Sequence, residues 1–178
     1  LADSYDNIGD LHMRKGELEP AEQSYEQARR IREQLVTYYP MIQYPDYACT
    51  MQKLAKAYCA DKSLFQALVV ISNLAETLCS IDTWEDENLL VERANAYHNK
   101  ALILAELGNS KDARDLMLMA AQTYSDAGNE YDIRHKEAAA AAFCMAGNYS
   151  CDVNDYEQAE SLFKSALSIS KRLYIAGQ

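Results

Sequence analysis

Glycine and proline are scarce, six of one and three of the other in 178 residues. A sandwich or barrel that turns every ten residues or so needs many more turn formers, so an all-β fold is excluded. Cations are also few: 17 Lys and Arg against 27 Asp and Glu leave a formal charge of −10. General affinity for nucleic acid or for an anionic membrane surface needs clustered positive charge to displace counterions, and neither is expected. No stretch is apolar enough to span a bilayer; the longest run, AAAAAFCMAG at 138–147, is too short and too rich in alanine. The five cysteines are an odd number with no CxxC spacing, which points to reduced thiols in a cytoplasmic setting. Gly-rich phosphate loops, GxSxG and HExxH are missing, and His12, His98 and His135 stand far apart in sequence. We therefore expect no enzyme, no cofactor and no metal. Cys144 and Cys151 illustrate the last point: seven residues apart on a helix they are separated by about 10 Å, whereas two thiolates on one zinc lie within about 4.6 Å.

What is abundant is helix former. Hydrophobic residues make up 49% of the chain, enough to bury a core, and Ala, Leu, Glu, Gln and Lys dominate. The sequence also repeats. Ala21, Ala67, Ala113 and Ala159 are 46 residues apart, and seven residues after each come Ala28, Leu74, Ala120 and Ala166. Between them lie Tyr25, Ile71, Met117 and Phe163. Spacing of i, i+4 and i+7 puts two small residues and one large one on a single helical stripe, as a close helix contact requires. Earlier in each repeat a bulky residue (Tyr5, Met51, Tyr97, Phe143) precedes a small one (Gly9, Ala55, Ala101, Gly147) by four. The segments joining the stripes, KGELEPA, DKSLFQA, GNSKDA and VNDYEQA, read as a helix stop followed by a helix start. The pattern predicts an all-α chain of four helix-turn-helix repeats, at about 1–38, 41–82, 84–128 and 129–176. Thr83 with Asp86, and Asn129 with Asp132, are placed as N-cap and N3 partners. Pro40 and Pro45 are expected to end one helix and start the next.

These residues resemble the tetratricopeptide repeat (TPR) family. The first repeat carries Tyr5, Ile8, Gly9, Gly16, Leu18, Ala21, Tyr25 and Ala28, and the fourth carries Phe143, Ala146, Gly147, Ala159, Phe163 and Ala166. The second and third are looser, with Lys100 where the family has Leu. The usual repeat is about 34 residues; the period here implies a variant with both helices lengthened. The resemblance implies a right-handed α-solenoid, one array over 1–178, in which the first helices line a concave groove. Carried over residue by residue, that groove holds Asp3, Asp6, Asp10, Arg14, Gln52, Lys56, Asn95, His98, Leu102, Glu106, Asn148 and Asp152. The same acids could simply solvate a helix face.

The expected partner is a protein or peptide, basic or amphipathic to complement the acids of the groove. Binding of a chaperone's acidic C-terminal tail is disfavoured, because Asp6 and Asp10 stand where that clamp of the family has Lys and Asn. The implied function is a non-enzymatic protein-interaction scaffold. The alternative is a domain that senses a peptide or small ligand and controls an attached effector domain. The open apolar stripes at both ends, and a start at Leu1, suggest a piece of a larger protein.

Overall fold

The computed structural model describes residues 1–81, 87–127 and 133–176, the side chains at 40, 41 and 176 apart. Among the described residues there are eight α-helices and no strand: α1 Ala2–Lys15, α2 Leu18–Tyr38, α3 Pro40–Ala60, α4 Leu64–Ser80, α5 Glu87–Glu106, α6 Ser110–Ala127, α7 Ile133–Asp152 and α8 Tyr156–Ala176. The chain divides into two compact units. Leu1–Thr77 contains α1 to α3 and most of α4; Leu78–Gln178 contains the end of α4 and α5 to α8. Within the first unit α2 packs on both α1 and α3. Within the second, α5, α6, α7 and α8 each pack on the next.

Period 46 is visible in the backbone. Gly16, Lys62, Gly108 and Asn154 occupy equivalent positions and all adopt positive φ, between 61° and 82°. Each ends a helix in the left-handed conformation, and the residue after it donates its N–H to a carbonyl five residues back: Glu17 to His12, Ser63 to Tyr58, Asn109 to Leu104, Asp155 to Ser150, at 2.8–3.0 Å. Those same residues accept from Ala21, Ala67, Ala113 and Ala159 at 3.0–3.1 Å, so each turn stops one helix and starts the next within three residues. Asn109 and Asp155 also cap with their side chains, accepting from the N–H of Asp112 and Gln158. The repeated alanine is therefore the fourth residue of every second helix. The expected caps Thr83, Asp86, Asn129 and Asp132 lie outside the described residues.

Pro40 begins α3, as expected, but Pro45 lies inside that helix. The expectation of a boundary at Pro45 is corrected. At the sixth position its missing N–H leaves one carbonyl of the first turn without a helical donor, a cost the rest of a 21-residue helix absorbs.

The core is made by one large residue of the second helix nesting against a small one of the first. The Tyr25 ring lies so close to Gly9 that a Cβ there would meet it at 2.5 Å, and Phe163 stands 2.6 Å from the same point on Gly147. Both pairs are 16 residues apart, and Ala55 with Ile71 and Ala101 with Met117 have the same spacing. At that spacing each glycine has a ring, and each alanine an unringed apolar residue. Ile71 and Met117 are fully buried and Tyr25 is 2% exposed, but Phe163 is 37% exposed. In the first unit Ala21, Tyr25, Leu54 and Ala57 form one buried cluster, with Met13, Tyr58 and Val70 packed against it.

Replacing either glycine by alanine gains about 0.5–1 kcal/mol of helix propensity and creates a steric clash costing about 1–3 kcal/mol. Tyr25 is buried and tethered through its hydroxyl to Asp10, whereas Phe163 has solvent into which it can swing. Gly9→Ala is expected to destabilise by roughly 1–2 kcal/mol and Gly147→Ala by distinctly less, compared by denaturant midpoints of the two variants.

Candidate functional site

Asp3, Asp6 and Asp10 follow one another at i, i+3 and i+7 on α1, and their side chains meet α2 and α3. Asp6 is 5% exposed. Its carboxylate accepts from Arg32 Nη2 of α2 at 2.8 Å and from Thr50 Oγ1 of α3 at 2.9 and 3.1 Å. Arg32, equally buried, also reaches Asp3 at 2.7 Å and Asp46 at 3.1 Å. Burial opposes its charge, but the Asp6 carboxylate more than offsets this and raises the guanidinium above its ordinary value. Asp10 accepts from Tyr25 and from Lys53 Nζ, both at 2.8 Å. Burial alone would raise the Asp10 carboxyl; the Lys53 and Tyr25 hydrogen bonds, with the Lys53 and Arg14 charges, hold it below the ordinary carboxylate value. The first three acids of the expected groove are thus an ion-pair network joining three helices, with Asp6 withdrawn from solvent.

Further along, the expected residues are more open. Arg14 and Lys56 are exposed, and Gln52 is half-buried. In the second unit Asn95 accepts from the Tyr124 hydroxyl at 2.6 Å, and the same Tyr124 ring meets His98 edge-on with centroids 6.5 Å apart. Burial lowers the His98 imidazole below its ordinary value and pushes the Tyr124 phenol up to about 12. Leu102, Glu106, Asn148 and Asp152 are exposed. Glu106 of α5 and Asp152 of α7 both act on Tyr149: burial raises that phenol first, and the two carboxylates raise it further. That places two acids from successive first helices on one side of the second unit.

Register explains which positions are open. The column of Asp10, Lys56, Leu102 and Asn148 is half-buried in its first member and exposed in the other three, and Arg14, Ala60, Glu106 and Asp152 are exposed throughout. The neighbouring column of Gly9, Ala55, Ala101 and Gly147 is buried in all four hairpins. One side of each first helix is buried, taking the nested ring on α1 and α7, and an adjacent side stays open.

His12 is partly exposed, and its Nδ1 pairs with Glu17 in the turn. Sequence reading also passed over a groove of about 700 Å³ in the first unit, lined by residues that include Tyr5, His12, Glu22, Glu26, Arg30 and Tyr58. Its acids follow helical spacing on α2 and were legible as a stripe. Glu22 there is raised above its ordinary value by burial and by repulsion from Asp61 and Glu19. None of the five cysteines is in a disulfide. Among the described residues no three His, Cys, Asp or Glu side chains converge as a metal site would need, and no helix is long and apolar enough to cross a membrane.

Residues 1–36 match the family model described as tetratricopeptide repeat. The crystal structure of BtubC (BKLC) from P. vanneervenii superimposes with a TM-score of 0.76 at 16% identity, over 98% of this chain and 65% of that one. The fold is that of a TPR-type repeat protein. Its class is an all-α solenoid. The chain spans just under two thirds of the BtubC chain, 65% of its length. The crystal structure of MamA protein aligns over 96% of this chain at 18% identity, with a TM-score of 0.34. No curated protein matches the sequence.

The buried pair gives a direct test. Arg32→Met leaves the Asp6 carboxylate in an apolar setting with only the Thr50 hydroxyl, and should destabilise by about 3–5 kcal/mol. Adding Asp6→Leu removes the stranded charge. The double variant is expected to recover more than half of the loss in chemical denaturation, where independent sites would give additive losses.

Proposed function

We propose that this chain is a non-enzymatic protein-interaction scaffold that binds a peptide or a partner helix along the open side of its first helices. The observation that carries this reading is the pair of exposed columns recurring every 46 residues while the adjacent column is buried. Within each unit, side chains held at a fixed repeat on its first helices offer a ligand a preordered surface, which lowers the entropic cost of binding.

Chemistry along the face is divided. In the first unit Asp3, Asp6 and Asp10 are engaged with Arg32, Thr50, Tyr25 and Lys53, and serve the ligand site by fixing α1. Arg14, Gln52 and Lys56 supply its polar side. In the second unit Asn95 and His98 form a half-buried floor, Leu102 an apolar step, and Glu106, Asn148 and Asp152 an acidic and amide rim. A basic amphipathic helix fits this unit: its apolar side over Leu102, its cations against Glu106 and Asp152. An acidic tail is repelled there. We place the protein in a reducing, cytoplasmic setting on its five cysteines, none of them in a disulfide.

The test is an NMR titration of the chain with a Leu/Lys amphipathic helical peptide. Shifts should concentrate at Leu102, Glu106, Asn148 and Asp152. The Glu106→Lys, Asp152→Lys variant should bind it roughly tenfold more weakly, a loss of about 1.4 kcal/mol from two reversed contacts. Unchanged affinity in that variant would place the peptide elsewhere.

A further inference from the structure

The outward side of α4 departs from that of the other second helices. Phe65 and Val69 stand one turn apart there and are 72% and 59% exposed. Their equivalents at the 46-residue period are Glu19 and Gln23 on α2, Lys111 and Asp115 on α6, and Glu157 and Ser161 on α8, every one polar and every one exposed. The register thus leaves this column open in all four hairpins, and α4 is the second helix that puts a ring and a branched apolar chain in it. Single exposed apolar residues are ordinary, but a pair at i and i+4 makes a continuous face.

The rest of the column indicates what covers that face. Ser72, Asn73 and Glu76 follow along the same side, and Lys62 stands in the turn just before the helix. Lys62 and Glu76 are both exposed. Glu76 lies seven residues beyond Val69, about 10 Å along the axis, and Lys62 lies seven residues before it. Read in order, the stripe is cation, ring, valine, small polar pair, anion, and its reverse is its own complement. Laid antiparallel on a second copy with the two Val69 side chains at the centre, Lys62 of each copy meets Glu76 of the other, and each Phe65 falls against Ser72 and Asn73, large against small. A parallel pairing in the same register sets Lys62 on Lys62 and Glu76 on Glu76, which charge disfavours.

We propose that the outward side of α4 is a self-association surface, covered by α4 of a second copy of this chain running antiparallel about a two-fold axis at Val69. Such a contact is isologous, the same patch on both copies, and closes at the dimer. Two apolar residues from each copy make a small interface, at the weak end of specific contacts, so association is expected in the upper micromolar range.

Sedimentation equilibrium of the 178-residue chain tests this. The weight-average mass should rise with protein concentration from that of a monomer toward that of a dimer and no further. Phe65→Glu and Val69→Lys, at exposed positions that leave the fold intact by circular dichroism, should each weaken association by roughly tenfold or more. Lys62→Glu and Glu76→Lys should each weaken it as well, because either change sets like charges together twice. An equimolar mixture of these two charge variants should pair as the wild type does, since both contacts between the unlike copies are then attractive. A wild-type chain that stays monomeric into the millimolar range overturns the proposal and assigns the α4 face to a different protein. Growth beyond a dimer, association unmoved by Phe65→Glu, or a mixture of the charge variants that pairs no better than either one by itself, overturns it too.

Discussion

A tyrosine ring lies where the side chain of Gly9 would be, and a phenylalanine ring where that of Gly147 would be. This close approach is the constraint on which the hairpins depend. Helices pack at 8–10 Å depending on the side chains between them, and a notch in one helix lets a large residue of the other fill the gap without forcing the axes apart. Because interiors are packed at crystal-like density, notch and filler must match in volume. Glycine faces a ring in the first and fourth hairpins, and at the equivalent positions of the second and third the sequence has alanine with isoleucine or methionine. The left-handed residue ending each first helix holds the two helices in the register that makes this match.

Much of this was legible because it is periodic. The alanines 46 apart marked the same position of every second helix, and the turns between stripes marked where helices stop and start. A period survives substitution, since what repeats is size and not identity. What was not legible depends on the partner rather than on the residue. Asp3, Asp6 and Asp10 look alike in sequence, yet Asp6 is buried and Asp3 exposed, because Arg32 and Thr50 arrive from helices distant in sequence. Pro45 reads as a boundary, yet stands inside α3, where a long helix can lose one hydrogen bond and continue. Lys62 in a left-handed conformation is invisible from residue type and obvious from register, two glycines and an asparagine sharing its place.

Of the expected groove, Arg14, Lys56, Leu102, Glu106, Asn148 and Asp152 are exposed, Gln52, Asn95 and His98 are half-buried, and the start of α1 is absorbed into the ion-pair network. This division follows from charge. A carboxylate stripe facing another helix is costly until paired, and once Arg32 and Lys53 neutralise it, its work is to fix three helices together. Glu106 and Asp152 stay exposed.

The nesting itself can be seen directly by proton NMR. An α-proton packed against an aromatic face is displaced upfield by the ring current, and gives nuclear Overhauser contacts to the ring protons. The account predicts both effects at Gly9 from Tyr25 and at Gly147 from Phe163, and their loss when either ring is replaced by leucine. Glycine α-protons at ordinary helical shifts, with no contact to either ring, would contradict it.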